Sequence, residues 1–468
     1  MHGAVIRNLF AWCFLTTALI ACDDTSPKDT TNPPDASDDA DTDDGGVDGS
    51  AAEDFEFSQT SIGDIESVSV NGAWWGENIT KVVRSSNKVF TFAMNDVGGD
   101  GDDRQIVLME RSDDGPWVEG ATFAFARAPN LLIDSDERVH VVAFAPFDPA
   151  VDTFRGSIAH VRFDESNTVT GTYETTRLAT DVGNEVPTFE NYQTLFLGAA
   201  IGEDDTMLAA YNNSVMWNTP GTHSLAVQIY DPGEGTWTYD QVAANMGSRF
   251  AYPFAFVSNG YFHVYAVEDE YDTDYATLGP PYDGYLFRYG AVKHFQRPRS
   301  GGPWTETTLV DFNGVKSKAE IWDMILRTLD LHVDSEGRIH ALLRYNEGTK
   351  PRVYHYTKLE TEDAWESEAL AFPGTDVAGL YWAKLWDRGP ERGLHFVGAV
   401  WSQQIRVLTP AGATHVVSDL AGDDLLDPTP FLSSARAGNA SRDLLDIAVF
   451  SGSAITTGEM IRCEAVVR

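Results

Sequence analysis

Two short signals alternate along residues 55–468, and their order constrains the fold more than any other feature of the chain. The first is a polar turn followed by an apolar pair, often with a histidine: "SSNKVFTF", "DSDERVHVV", "GEDDTMLAA", "VSNGYFHVY", "DSEGRIHAL", "GPERGLHFV" and the degraded "ASRDLLDIAVF". Each reads as a hairpin with a buried strand leaving it. The second is a small residue, one spacer and usually an aromatic that opens a strand: "GPWVE", "GTYET", "GTWTY", "GPWTE", "DAWES", then the degraded "GATHV" and "GEMIR". Trp117, Tyr173, Trp237, Trp304 and Trp365 lie 56, 64, 67 and 61 residues apart. Seven alternations at this period point to four-stranded sheets repeated around an axis, an all-β, seven-bladed β-propeller. Six or eight blades, or two stacked β-sandwiches, are the alternatives. Only "AEIWDMILRTL" at 319–329 has an ambiguous helical period. The run at 55–71 precedes the first hairpin and is placed to supply a strand to the last blade, closing the ring.

The string "RSDDGPWVE" and its counterparts resemble the Asp-box, or BNR, repeat of sialidase-like propellers, with one residue fewer between glycine and tryptophan than that repeat has. In the Asp-box the tryptophan packs between strands, so the resemblance implies that Trp117, Trp237, Trp304 and Trp365 are core. It would also imply a carboxylate-gripping arginine triad, but the early "FRIP" motif is absent; "TFRGS" around Arg155 is the nearest string. The stretch "LHVDSEGRIHALLRY" at 331–345 is similar to hairpins of seven-bladed polysaccharide lyases. With Asp334–Gly337 read as a four-residue turn, strand alternation sends His332 and His340 to opposite faces, poor partners for one site. His140, His263, His340 and His395 recur at one repeat position, which favours a structural hydrogen bond over catalysis. No catalytic set is assigned.

Before the repeats lie two other segments. Residues 1–21 hold one cation, Arg7, and an apolar run from Leu9 to Ala21, the size of an export signal and too short to span a bilayer. Leu19-Ile20-Ala21-Cys22 resembles the bacterial lipobox, which implies that Cys22 is lipidated and heads the mature chain. Residues 22–54 follow, with twelve acids, one lysine and three prolines, a composition that makes an extended, disordered tether. The expected address is the bacterial cell envelope, at the outer membrane or cell surface rather than the inner membrane. With Cys13 lost and Cys22 acylated, only Cys463 remains, so the domain has no internal disulfide.

The formal charge is −38, of which −28 falls on residues 55–468 once the leader and tether are set aside. Such a domain repels nucleic acid and is kept soluble as a monomer. "NDVGGDGDDRQ" at 95–105 and "EDEYDTD" at 268–274 are dense in carboxylates, but neither has the spacing of a calcium loop. No cofactor or metal ligand set is assigned; a weak calcium site is the most these loops suggest. Recognition is the better prospect. The long segment 266–303 is rich in tyrosine, proline and glycine, and long insertions in repeat proteins gather on the binding face. The candidate contacts are Tyr271, Tyr275, Tyr282, Tyr285, Trp322, Trp382 and Trp386. Lys293, His294, Arg297 and Arg299 in "KHFQRPR" form the candidate anion-binding group. The expected function is non-catalytic binding of a glycan or envelope protein, with a polysaccharide lyase, a glycosidase or a structural scaffold as alternatives.

Overall fold

The computed structural model describes residues 53–64, 78–96, 104–113, 115–125, 128–148, 152–178, 197–214, 223–246, 248–271, 287–348, 350–372, 380–400, 404–419, 429–439, 443–451 and 457–467. The leader, Cys22 and the acidic tether lie outside them. The strands form seven four-stranded antiparallel sheets. Six are sequential, blades 1 to 6 at 83–123, 130–177, 198–246, 248–311, 327–369 and 380–419. The seventh takes three strands from 429–467 and its outer strand, Glu53–Asp64, from the start of the body. One apolar cluster joins blades 1, 2 and 3 to Phe431 and Ala448 of blade 7, and the others link blades 3 to 4, 4 to 5, and 5 to 6 to 7. The sheets therefore close a ring, a β-propeller.

Closure corrects one reading of the repeats. "GEMIR" does not open an outer strand; it lies in the third strand of blade 7, Thr457–Val467, which pairs with Glu53–Asp64. The outermost position belongs to the amino-terminal strand, whose Phe55 ring lies 4.7 Å from His415 and 6.1 Å from Trp386 of blade 6. It thus does for blade 7 what a repeat tryptophan does elsewhere. Trp117, Trp237, Trp304 and Trp365 all pack against the apolar clusters, as core residues should.

Antiparallel order divides the ring into two ends. Within each blade the first-to-second and third-to-fourth connections lie at one end, the second-to-third and blade-to-blade connections at the other. The first end carries the short polar turns that made the hairpins legible; we call it the tight-turn end. Apart from the one between Leu432 and Leu444 of blade 7, the long connections join strand ends at the opposite, long-loop end, including the one between Tyr271 and Phe287. The ambiguous helical stretch sits there too, resolved into a helix at Lys318–Met324 and a strand at Arg327–Val333. Ser317 and Glu320 bond reciprocally across its first turn, a capping box that the spacing Ser-x-x-Glu encodes.

A charge pair locks the closed ring. Arg84 of blade 1 makes a two-pronged contact with Asp446 of blade 7, Nη2 reaching Oδ1 at 2.7 Å, and its Nη1 reaches Asp113 at 2.7 Å. Arg84 and Asp446 are both buried, so removing one partner strands the other charge. Asp446→Asn should lower unfolding stability by about 3 kcal/mol, read from the denaturation midpoint at unchanged slope. A loss well under about 1 kcal/mol would mean that closure rests on strand pairing alone.

Candidate functional site

Histidine chemistry is the first thing to locate, and it sits at the tight-turn end. His140 Nε2 lies 3.1 Å from Asp134 Oδ2, His140 Nδ1 2.9 Å from His160 Nε2, and Trp237 Nε1 of the next blade donates to His160 Nδ1 at 3.2 Å. An indole can only donate, so the tautomers follow: His160 donates from Nε2 to His140, and His140 donates to Asp134. Blade 4 repeats the plan with Glu360, His263 and His294 at 2.8 and 3.1 Å, ending through Thr307 on Trp365. Blade 5 repeats it with Asp334, His340 and His355 at 3.2 and 3.0 Å. Burial pushes His160 and His355 down to about 3, and lowers His263, His294 and His340. These imidazoles are neutral structural relays between strands and blades. His395, the fourth of the series, lies 3.4 Å from Arg388 and 3.3 Å from the Gly393 carbonyl.

The register of blade 5 corrects the reading of His332 and His340. Val333 pairs with Ile339, leaving five residues in the turn, with Gly337 at φ +75°. His332 therefore lies directly opposite His340, on the same face, with ring centroids 6.3 Å apart. One added turn residue reverses the face of every side chain that follows.

The candidate anion-binding group lies in the third strand of blade 4. Lys293 sits between Glu306 at 2.8 Å and Glu268 at 3.4 Å, Arg297 pairs with Asp240, Arg299 pairs with Asp204, and His294 is fully buried. Each cation is engaged by a carboxylate of the protein. Trp382 and Trp386 are also buried, in the cluster linking blades 5, 6 and 7, so they act as core rather than as exposed contacts. Tyr275, Tyr282 and Tyr285 fall outside the described residues, as do the side chains of Tyr271 and Trp322. Among the described residues no group of three or more metal-binding side chains converges.

What the long-loop end does assemble is an aromatic and guanidinium cluster between blades 4 and 5. Pairing aligns Arg249, Asp269 and Tyr289 across three strands of blade 4. Arg249 Nε donates to Asp269 at 2.5 Å, and Arg288 Nε to Glu270 at 2.8 Å. The register slips between Ala251 and Phe254, and Tyr252 at φ +50° turns into the interface with blade 5, 6.4 Å from Tyr289. Arg327, opening blade 5, holds its guanidinium 5.6 Å from both tyrosine rings. Beside it Tyr345 and Tyr354 stack in parallel, 4.4 Å apart. The sequence reading passed over this group, because its members come from two blades. Pro253 was the available signal, since proline inside a strand marks a bulge.

Electrostatics set what the cluster can do. Burial raises Tyr289 well above the ordinary phenol range, with Tyr252 and Asp269 adding to it, against the pull of Arg327 and Arg249. Burial and then the Arg249 charge push His223 down to about 4. A phenol held protonated and an imidazole held neutral are both far from the poise that proton abstraction near neutral pH requires. Rings and guanidinium edges, by contrast, suit recognition.

No protein-family model and no curated protein matches the chain. Among solved structures it is similar to the polysaccharide lyase Uly1, with TM-score 0.52 and 10% identity over 85% of this chain and 90% of the lyase. It is also similar to the α-L-arabinanase of Penicillium chrysogenum, with TM-score 0.43 and 12% identity over 71% and 92% of the two chains. The sialidase of Trypanosoma rangeli gives TM-score 0.43 and 10% identity over 87% of this chain and 59% of the sialidase. At these identities the likeness is one of fold alone.

The histidine relays predict a particular pH response. Below pH 6.5 the unfolded chain protonates histidines that the fold keeps neutral, so stability is full above that pH and falls as pH drops toward 3. Urea unfolding at pH 7, 6 and 5 should show a loss of up to about 1.4 kcal/mol per pH unit for each such histidine. His160→Asn should flatten the slope even where it lowers the midpoint. A flat wild-type profile would contradict the neutral relays.

Proposed function

We infer that the protein is a lipid-anchored envelope protein whose propeller binds a glycan at its long-loop end without cleaving it. The observation that carries this reading is the partly exposed, stacked pair Tyr345 and Tyr354, set beside the Tyr252, Tyr289 and Arg327 cluster whose phenol and neighbouring imidazole are shifted away from catalytic poise. Sugar rings stack on such surfaces through their apolar C–H faces. The entry of the amino-terminal strand supports the display: Glu53 pairs with Val467 at the tight-turn end, so a tether ahead of it would leave the long-loop end facing away from the membrane. Enzymatic cleavage is the second reading, and the likeness to a polysaccharide lyase is what favours it.

Protein produced from residue 23 onward, incubated with a panel of neutral and acidic polysaccharides, separates the two. Depletion of protein onto a polymer without release of fragments is the expected result; fragments would establish the enzyme instead. Tyr354→Ala and Arg327→Ala should each weaken binding roughly tenfold, about 1.4 kcal/mol, with circular dichroism unchanged. Binding unaffected by both would move the site elsewhere. Separately, Cys22→Ser should shift the full chain from the membrane to the soluble fraction of a bacterial host and abolish its labelling by a fatty acid.

A further inference from the structure

Blade 7 departs from its siblings where its first two strands connect. In place of a tight turn, Ser433–Asn439 runs inward through a short 3-10 turn at Ala435–Ala437 and packs against the inner strands of blades 2, 3 and 4, plugging the axis. Gly438, at φ +81°, passes so close that a Cβ there would lie 2.0 Å from the Ile133 carbonyl oxygen.

Between this plug and the inner strands of blades 5 and 6 lies a cavity of about 20 Å³, lined by Asp330, His332, Trp386, Asp387, Ser434 and Arg436 among others. Three buried polar atoms on its wall make no hydrogen bond, Arg436 Nε, Ser434 Oγ and His332 Nε2, the last with Asp387 Oδ2 at 3.2 Å. Arg436 gives Nη1 to the Asn78 carbonyl at 2.7 Å, and its nearest carboxylate, Asp330, stands 3.9 Å away. That is beyond the span of a charge-assisted hydrogen bond. Asp330 in turn accepts the amides of Leu331 at 3.0 Å and Leu385 at 2.9 Å. Burial lowers the proton affinity of Arg436, and Asp330 offsets this only in part.

We propose that this cavity is a halide site in which one chloride accepts hydrogen bonds from Arg436 Nε–H, Ser434 Oγ–H and His332 Nε2–H. The space suits a single water-sized occupant. A chloride can accept from donors in any direction, and all three orphaned atoms can donate. Cations stand close by. Arg436 and Lys384 flank the Phe254 ring at 4.9 and 5.2 Å, and Arg388 lies 5.1 Å from the Trp386 ring. Of the nearby carboxylates, Asp443 pairs with Arg388 at 3.4 Å, Asp387 accepts the Gly389 amide at 2.8 Å and stands 3.2 Å from His332 Nε2, and Asp330 is held by two backbone amides. A bound anion gives the buried Arg436 Nε–H an acceptor and, through His332, ties the plug to blade 5.

The test compares thermal unfolding of the chain from residue 23 onward in sodium gluconate with that in chloride or bromide at equal ionic strength. A saturable upward shift of about 2 °C is expected with either halide. Crystals grown in bromide should show an anomalous peak within the cavity. Arg436 replacements are at risk of misfolding, so Ser434→Ala serves as the variant: it should fold and lose most of the halide shift. An unfolding temperature indifferent to halide, a shift that survives intact in Ser434→Ala, or no bromide peak in the cavity would each overturn the proposal, leaving at most an ordered water.

Discussion

A propeller holds only if its last sheet meets its first, and here a strand from the far end of the sequence makes that join. Glu53–Asp64 pairs along its length with Thr457–Val467. The contact brings together segments about 400 residues apart, so its loop-closure cost is met only when the intervening blades have formed. The buried Arg84–Asp446 pair sits across the same seam and forms only in the closed geometry, where burial makes each charge depend on the other. Everything that depends on a fixed axis, from the packing of the inner strands to the position of the plug, follows from this closure.

Once closed, the tight-turn end is stitched by side chains, to which the Ala121 amide on the Val169 carbonyl adds a backbone bond between blades 1 and 2. Ser86 and Ser135 bond the carboxylates of Glu137 and Asp205 in the next blade, Ser258 bonds Glu360, and the carboxylate–histidine–histidine relays run from turn to strand to the next blade's aromatic. A flat ring with two nitrogens suits this work. It can pack against an aromatic edge while passing a hydrogen bond through, which neither an aliphatic nor an amide side chain does as well. The recurrence of histidine after the hairpin thus reflects blade packing, and it consumes the residues most often looked to for catalysis.

What was legible in the sequence was local. Hairpins with Gly, Asp and Asn at their tips announced the inner strands, and the small-x-aromatic signal announced most outer ones, because both depend on neighbouring residues. The amino-terminal strand was legible only as an expectation, and "GEMIR" was misread for want of knowing that a distant strand held the outer place. His332 and His340 were misassigned by a single residue of turn length, a quantity that strand patterns do not carry. The Arg327–Tyr252–Tyr289 cluster and the axial plug unite residues from different blades, and "SSARAGNA" has no periodicity to betray a segment that fills an axis.

Backbone strain separates the two ends once more. Among the described residues five other than glycine have positive φ; Asn167 and Asp205 are of types that tolerate it, and they and Glu137 are turn residues held by hydrogen bonds at the tight-turn end. Tyr252 and Ile325 are different, one bulky and one β-branched, for which such a conformation is costly. Tyr252 lies within the inner strand of blade 4 and Ile325 just ahead of that of blade 5, whose first residue, Arg327, holds its guanidinium 5.6 Å from the Tyr252 ring. Strain persists where surrounding structure imposes it. Here the ion pair of Arg249 with buried Asp269 and the stacked Tyr345 and Tyr354 form that surround, so the described part of the long-loop end is held by packing within blades 4 and 5, and the proposed glycan contact would meet it preformed. A preformed surface loses little order on binding, which is what recognition of a flexible glycan chain requires of its protein partner.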